Sequence, residues 1–148
     1  MIDSFVIGSI FNAKERHILI PINIEGDYSS GIAKEFAEKC HLEIKNTYGD
    51  SKLSLGTIIR MEWNGKIIYA LACYSLDPEI GWKEAPGIIL ECLDNDIVDS
   101  QSEEIAFDEA IATIMMGQSE KSKILGANPN KIRNALQESK RMVIIYTK

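Results

Sequence analysis

The chain is poor in the residues from which metal centres and nucleophilic triads are built. It has three cysteines, Cys40, Cys73 and Cys92, and two histidines, His17 and His41. No two of the cysteines form a C-x-x-C pair, so the spacing excludes a typical zinc site, and the thiols read as buried and free. Two histidines leave little material for a serine or cysteine triad, which needs a base beside its nucleophile. Basic residues are also in deficit, with a net charge of −6. That balance argues against a strong sequence-independent grip on nucleic acid, which depends on Lys and Arg neutralising phosphates. No apolar run approaches the roughly 20 residues needed to cross a bilayer. With Asp3 near its start, the N-terminus lacks the charged and apolar regions of a signal peptide. The expectation is a soluble cytoplasmic protein with no membrane contact, no metal and no bound cofactor.

What is present suits one domain. A length of 148 residues, 45% hydrophobic and 26% charged, is ordinary for a globular protein with a single core. Ser4–Gly8, continued by Ser9–Phe11, reads as a short edge strand turning at Asn12–Arg16. His17–Asn23 is nearly continuous in apolar residues, the pattern of a strand covered on both faces, with Pro21 as an irregularity that removes one ladder donor. From Ser30 to Cys40 the residues Ile32, Ala33, Phe36, Ala37 and Cys40 recur at helical spacing, with Lys34, Glu35, Glu38 and Lys39 opposite. Leu42–Leu53 is polar and reads as a connection. Leu55–Trp63 and Lys66–Cys73 are strands joined by Asn64-Gly65, a pair that tolerates the positive φ of a type I′ hairpin turn.

Tyr74–Glu84 reads as a loop carrying Pro78, Gly81 and Trp82, and Pro86 opens a helix containing Ile88, Ile89, Cys92 and Leu93. Ser102–Met116 fits a helix in its first half and a buried strand over Ala110–Met116; periodicity does not separate the two. Gly117–Asn128 is a second polar, glycine-bearing loop. Asn128 and Pro129 are a cap and first residue for a helix through Ser139, and Met142–Tyr146 closes the chain as a buried strand.

The stretch from His17 to Cys40 organises the rest. A strand ends at Asn23, a loop with Gly26 follows, and a helix starts near Ser29 or Ser30. The free N–H groups and partial positive charge of that helix start favour a phosphate or another anion. The loop is neither a Walker motif nor a dinucleotide fingerprint, because Gly26 and Gly31 stand five apart with no third glycine and no Gly-Lys-Ser/Thr ending.

Taken in order, Gly8-Ser9-Ile10-Phe11, the loop NIEGDYSSGIAKEF, the hairpin LGTIIRMEWNGKIIYALA, a loop after IATIMMG and a final helix and strand resemble the macrodomain family of ADP-ribose-binding modules. The likeness is sharpest to the branch whose first loop reads Asn-x-x-Gly-x-Met-Gly-Lys-Gly-Ile-Ala, with Asn23, Gly26, Gly31, Ile32 and Ala33 in register. The resemblance implies a three-layer α/β/α fold with a mixed, mostly parallel sheet, and a ligand crevice formed by residues 23–33 and 117–126. It also implies ADP-ribose, or a related nucleotide-sugar phosphate, as ligand. The departures are specific. Ser9 stands where the family has the aspartate that recognises the adenine amino group, and a serine hydroxyl brings no negative charge. Tyr28, Ser29 and Ser30 replace Met-Gly-Lys. Gln118, Ser119 and Glu120 follow Gly117 where the family has more glycine, and Lys121 and Lys123 lie close by.

By this resemblance the ligand contacts are Ser9, Ile10, Asn23, Gly26, Ser29, Ser30, Gly31, Ile32, Gly117, Gln118 and Ser119. Plainer roles stand beside them: Ser29 or Ser30 as a helix cap, and Asn23 as the end of a strand. Asn23 and Asp27 are the candidate catalytic residues for hydrolysis of an ADP-ribosyl bond or phosphate, with Glu25 a further candidate base; loop carboxylates are more often simply solvated. Tyr74 and Trp82 suit stacking on a base or ribose, or closure of the core edge. The competing functions are a degenerate crevice serving as a protein-interaction or regulatory module, and a binder of a different nucleotide signal.

Overall fold

The computed structural model describes residues 1–40, 52–97 and 109–147. The expected connection at Leu42–Leu53 and the first half of Ser102–Met116 fall mostly outside them. Strand β1 (Ile2–Ile7) leads to a 3₁₀ turn (Ile10–Asn12), β2 (His17–Asn23), helix α1 (Gly31–Cys40), β3 (Ile58–Trp63) and β4 (Lys66–Tyr74). Then come α2 (Ala85–Glu91), a π-helical turn (Cys92–Asp96), β5 (Ile111–Ile114), α3 (Glu120–Ile124), α4 (Pro129–Glu138) and β6 (Val143–Thr147). No helix among the described residues is long and apolar enough to cross a membrane.

The strands form one sheet in the order β1-β6-β5-β2-β4-β3. All neighbours run parallel except β3 and β4, which form the antiparallel hairpin at one edge. Its turn has φ +51° at Asn64 and +75° at Gly65, the left-handed pair of a type I′ turn. Buried on both faces, β2 and β4 read as apolar runs for a simple reason: alternate residues serve different layers. Leu19, Tyr69, Leu71, Ile111 and Ile145 pack on one face against Trp82 and Ile89, and against Ile132 and Leu136 of α4. Ile18, Ile20, Ile22, Ile68 and Ala70 pack on the other against Phe11 and against Ala33 and Phe36 of α1. Each fully buried Leu, Ile or Phe contributes about 1.5–3 kcal/mol. The result is a three-layer α/β/α architecture.

Two local outcomes differ from the sequence reading. Ser9–Phe11 is not strand: the Ser9 hydroxyl accepts a hydrogen bond from the Phe11 N–H (3.3 Å), capping the 3₁₀ turn that drives Ile10 and Phe11 into the core. Phe11 then meets Phe36 of α1 at 4.4 Å between ring centroids. Inside the expected loop 117–128 lies α3, which buries no residue and so leaves no apolar stripe to read. The ambiguous 110–116 region resolves as strand β5 over Ile111–Ile114.

At the far end of the sheet, Arg141 is fully buried. Its Nε donates to the Leu93 carbonyl (2.7 Å) and an Nη to the Ile97 carbonyl (3.0 Å), tying the π-helical turn to the start of β6. Burial pulls its guanidinium pKa down.

Candidate functional site

The crevice sits where sheet topology favours one. Beyond β2 the chain moves to β3 and β4 on one side; beyond β5 it moves to β6 on the other. The carboxyl ends of these two adjacent strands therefore diverge and leave space between their following loops. Direct β2–β5 pairing ends at Leu19 opposite Thr113, whose hydroxyl donates to the Leu19 carbonyl (2.9 Å). Pro21 lies past that point, in the wall of the space, and the β2–β4 register shifts between Ile22 and Asn23. The missing donor of Pro21 thus falls beside the crevice, outside the β2–β5 ladder.

Asn23 closes the first loop on itself. Its Nδ2 donates to the Asp27 carbonyl (2.8 Å) and its Oδ1 accepts the Asp27 N–H (2.9 Å). Gly26, at φ +69°, supplies the left-handed residue this tight turn requires. Asp27 Oδ1 accepts the Ser29 N–H (3.0 Å), which orients the chain toward α1. Glu25 faces elsewhere: its carboxylate accepts the Ser75 hydroxyl (2.6 Å) and the Leu76 N–H (2.9 Å), pinning the first loop to the segment after β4. Of the two loop acids, Asp27 is the one in the wall of the pocket.

The opposite wall is held by a tryptophan. Trp82 stacks on Tyr74, with centroids 4.2 Å apart and planes 12° from parallel, and its backbone N–H donates to the Leu125 carbonyl (3.0 Å). Gly81 makes that approach possible, since a β-carbon there would stand 2.0 Å from the Leu125 oxygen. Gly117, at φ +76°, lies on Ile132 and Ala127 with no room for a side chain. Burial raises the Tyr74 phenol pKa, with a hydrogen bond from Asn23 acting against it. The Tyr28 phenol is pushed up to about 12 by burial and by neighbouring Tyr74. Its hydroxyl and the Trp82 indole N–H are buried without a hydrogen-bond partner among the described residues.

These elements enclose a pocket of about 170 Å³. Asn23, Asp27, Ser30, Gly31 and Ile32 line one side, with Gly117, Gln118, Ser119, Lys121 and Leu125 across from them and Tyr74 and Trp82 at the end. A wider groove of about 700 Å³ opens beside it, lined by Lys34, Glu35 and Glu38 of α1 and by Tyr146 and Thr147 of β6. Gly31, Ile32, Ile114, Met115 and Gln118 belong to both spaces, so the two meet across the first turn of α1. Glu120 is not in either wall; it stands 3.9 Å from Lys123 on the exposed side of α3. Ser119 caps α3, its hydroxyl accepting the Ser122 N–H (3.1 Å).

The structure thus gathers Asn23, Asp27, Ser30, Gly31, Ile32, Gly117, Gln118 and Ser119 around one pocket. It leaves Ser9 as a turn cap, Ile10 in the core, and Gly26 and Ser29 within the first loop, outside the pocket wall. Sequence reasoning placed Leu125 only within the span 117–126, and it missed Met115 and the wall role of Pro21. Only the Pro21 interruption of an apolar strand gave a signal. Among the described residues no three His, Cys, Asp or Glu side chains are placed to hold a metal ion.

No protein-family model matches the sequence, and no curated protein matches it. Solved structures do match. The macrodomain of Thermus aquaticus DarG shares 15% identity, covers 100% of this chain and 99% of its own, and superposes with a TM-score of 0.62. A macrodomain protein from Streptomyces coelicolor shares 13% identity over 100% and 99% of the two chains, with a TM-score of 0.66. A mutant Oceanobacillus iheyensis macrodomain with ADPR shares 13% identity over 96% of this chain and 82% of that one, with a TM-score of 0.61. The fold is that of the macrodomains.

Proposed function

We propose that the crevice binds ADP-ribose or a closely related nucleotide-sugar phosphate. One observation carries this reading: two spaces, one small and partly aromatic, the other wider and of mixed polar and apolar lining, meet across the first turn of a ten-residue helix. Such a helix start favours anions through its free N–H groups and partial positive charge. An elongated ligand with a central diphosphate and a sugar at each end matches that sequence of environments. The small pocket alone is below the roughly 300–1,000 Å³ usual for such ligands, whereas pocket and groove together are not. Support also comes from the Oceanobacillus iheyensis macrodomain, whose solved structures contain ADPR or ADP.

Hydrolysis of an ADP-ribosyl bond is the narrower reading, favoured by Asp27. Asp27 is the acidic residue lining the pocket, and a general base for an attacking water would have to act from there. Asn23, whose amide is committed to the loop, positions Asp27.

Titration calorimetry and thermal unfolding with ADP-ribose test the binding reading. A ligand at 100 times its Kd adds about 2.7 kcal/mol of apparent stability. No heat and no rise in melting temperature at millimolar ADP-ribose would sink it.

A further inference from the structure

Glu25 lines neither space of the crevice, yet both of its carboxylate oxygens are engaged. One accepts the hydroxyl of Ser75, a residue with no exposed surface, and the other accepts the Leu76 N–H. Ser75 in turn closes the turn that follows β4. Its N–H donates to the Gly81 carbonyl (3.1 Å), and its hydroxyl oxygen accepts the Asp77 N–H (3.0 Å). Trp82 comes directly after Gly81, and its N–H holds the Leu125 carbonyl of the second loop (3.0 Å). Hydrogen bonds no longer than 3.1 Å therefore lead from the Glu25 carboxylate, through the turn, to residue 125. Leu76, Trp82 and Leu125, which they hold in place, all line the small pocket.

Attachment of the first loop to this turn does not itself require an acid. The Ile24 N–H already donates to the Tyr74 carbonyl (3.0 Å) and joins the same two segments through backbone alone. What the carboxylate adds is orientation, because its two oxygens grip two adjacent residues of the turn through charge-assisted bonds. Building on the binding reading above, we propose that Glu25 is a positioning residue of the crevice. It sets ligand affinity without touching the ligand, by holding Leu76 and Trp82, and through Trp82 also Leu125, at a fixed separation from Asn23 and Asp27. The site is thereby assembled before the ligand arrives, so little binding energy is lost in ordering its walls.

Charge alone makes a different prediction. Removing a carboxylate near an anionic ligand favours binding equally whether Ala or Gln replaces it. Positioning survives in Glu25→Gln, whose amide oxygen still accepts the Leu76 N–H and whose amide N–H can donate to the Ser75 oxygen. The test is calorimetry with ADP-ribose on the wild type, Glu25→Ala, Glu25→Gln, Ser75→Ala and the Glu25→Ala/Ser75→Ala double variant, at a temperature where circular dichroism shows each one folded. Glu25→Ala should bind about tenfold more weakly and Glu25→Gln within about threefold of wild type, and Ser75→Ala should add little to Glu25→Ala, as expected of partners in one contact. A readout without ligand accompanies it. In a Trp63→Phe background Trp82 is the one tryptophan left, and Glu25→Ala should shift its emission to the red and raise its quenching by acrylamide, whereas Glu25→Gln should not. Wild-type affinity in Glu25→Ala, whatever its melting temperature, overturns the assignment and leaves the binding reading standing. Equal affinities in the Ala and Gln variants also overturn it, because the charge and not the grip then matters. A wild type that gives no heat with ADP-ribose overturns the binding reading and, with it, the role of Glu25 in affinity.

Discussion

Gly81 and Leu125 touch backbone to backbone: the Leu125 carbonyl oxygen lies 2.0 Å from where any β-carbon on Gly81 would be. The next residue, Trp82, donates its N–H to that same oxygen at 3.0 Å. One carbonyl therefore fixes the segment after β4 against the second loop of the crevice. Gly81→Ala meets both a backbone clash and the strain of φ +50°. It should cost about 2 kcal/mol or more, lowering the melting temperature by about 4–8 °C, and should weaken nucleotide binding as residues 117–126 shift. A variant as stable as wild type would show that the loop adjusts freely and that this contact does not hold the wall.

Asn23 and Asp27 should separate when each is replaced by alanine. Asn23→Ala removes both side-chain bonds to the Asp27 backbone and leaves that N–H and carbonyl to find other partners. The expected loss is about 1–3 kcal/mol in urea denaturation, with weaker ADP-ribose binding. Asp27→Ala leaves those backbone contacts in place and loses the Ser29 N–H contact of its carboxylate, so stability should fall by about 0.5–1.5 kcal/mol, less than in Asn23→Ala. Any release of ADP-ribose from a modified substrate should fall at least about a hundredfold. Full turnover in Asp27→Ala would remove the carboxylate from the chemistry.

Alkaline pH should weaken the fold. Burial raises the thiol of Cys73 from 9.0 to about 12 and that of Cys40 from 9.0 to about 11, and it raises the Tyr28 phenol from 10.0 to about 12. In each case the unfolded chain gives up its proton first, so stability is intact below pH 9 and is lost progressively between about pH 9 and pH 12. The urea midpoint should hold from pH 7 to 8.5 and fall above 9. In Cys73→Ala, starting from a lower plateau, the fall should be shallower. A midpoint constant to pH 11 would contradict the burial of these groups.

Much of the fold was legible because burial leaves a pattern in sequence. β2 was read with its observed boundaries, since a strand covered on both faces has few polar residues to confuse its limits. The hairpin at Asn64-Gly65 and the Asn128 cap of α4, whose side chain accepts the Lys131 N–H, were written in local turn chemistry. The α3 helix was not legible, because nothing in it is buried. The candidate site divides in the same way. Asn23 and Gly31 announce a strand end and a helix start, but the direction of a carboxylate does not follow from its position in the chain. Glu25 and Asp27 are two residues apart in one loop, yet the Glu25 carboxylate bonds the Ser75–Leu76 segment whereas Asp27 bonds the Ser29 N–H and lines the crevice, and the tertiary contacts after β4 fix the first of these. The same holds for Gly81, whose reason for being glycine lies 44 residues further along the chain at Leu125.

The placement of β1 beside β6 sets an order of events. Ile2 is in register with Val143 and Ile7 with Thr147, so the first strand has its sheet partner among the last residues described. β6 in turn lies between β1 and β5, so a chain growing on the ribosome can assemble β2, β4 and β3 early but has no neighbour to offer β1. Until Val143–Thr147 emerges, the inward-facing Ile2 and Val6 of β1 and the open edge of β5 remain without cover. The nascent protein passes through its most aggregation-prone interval just before synthesis of this sheet is complete, when a holding chaperone would matter most.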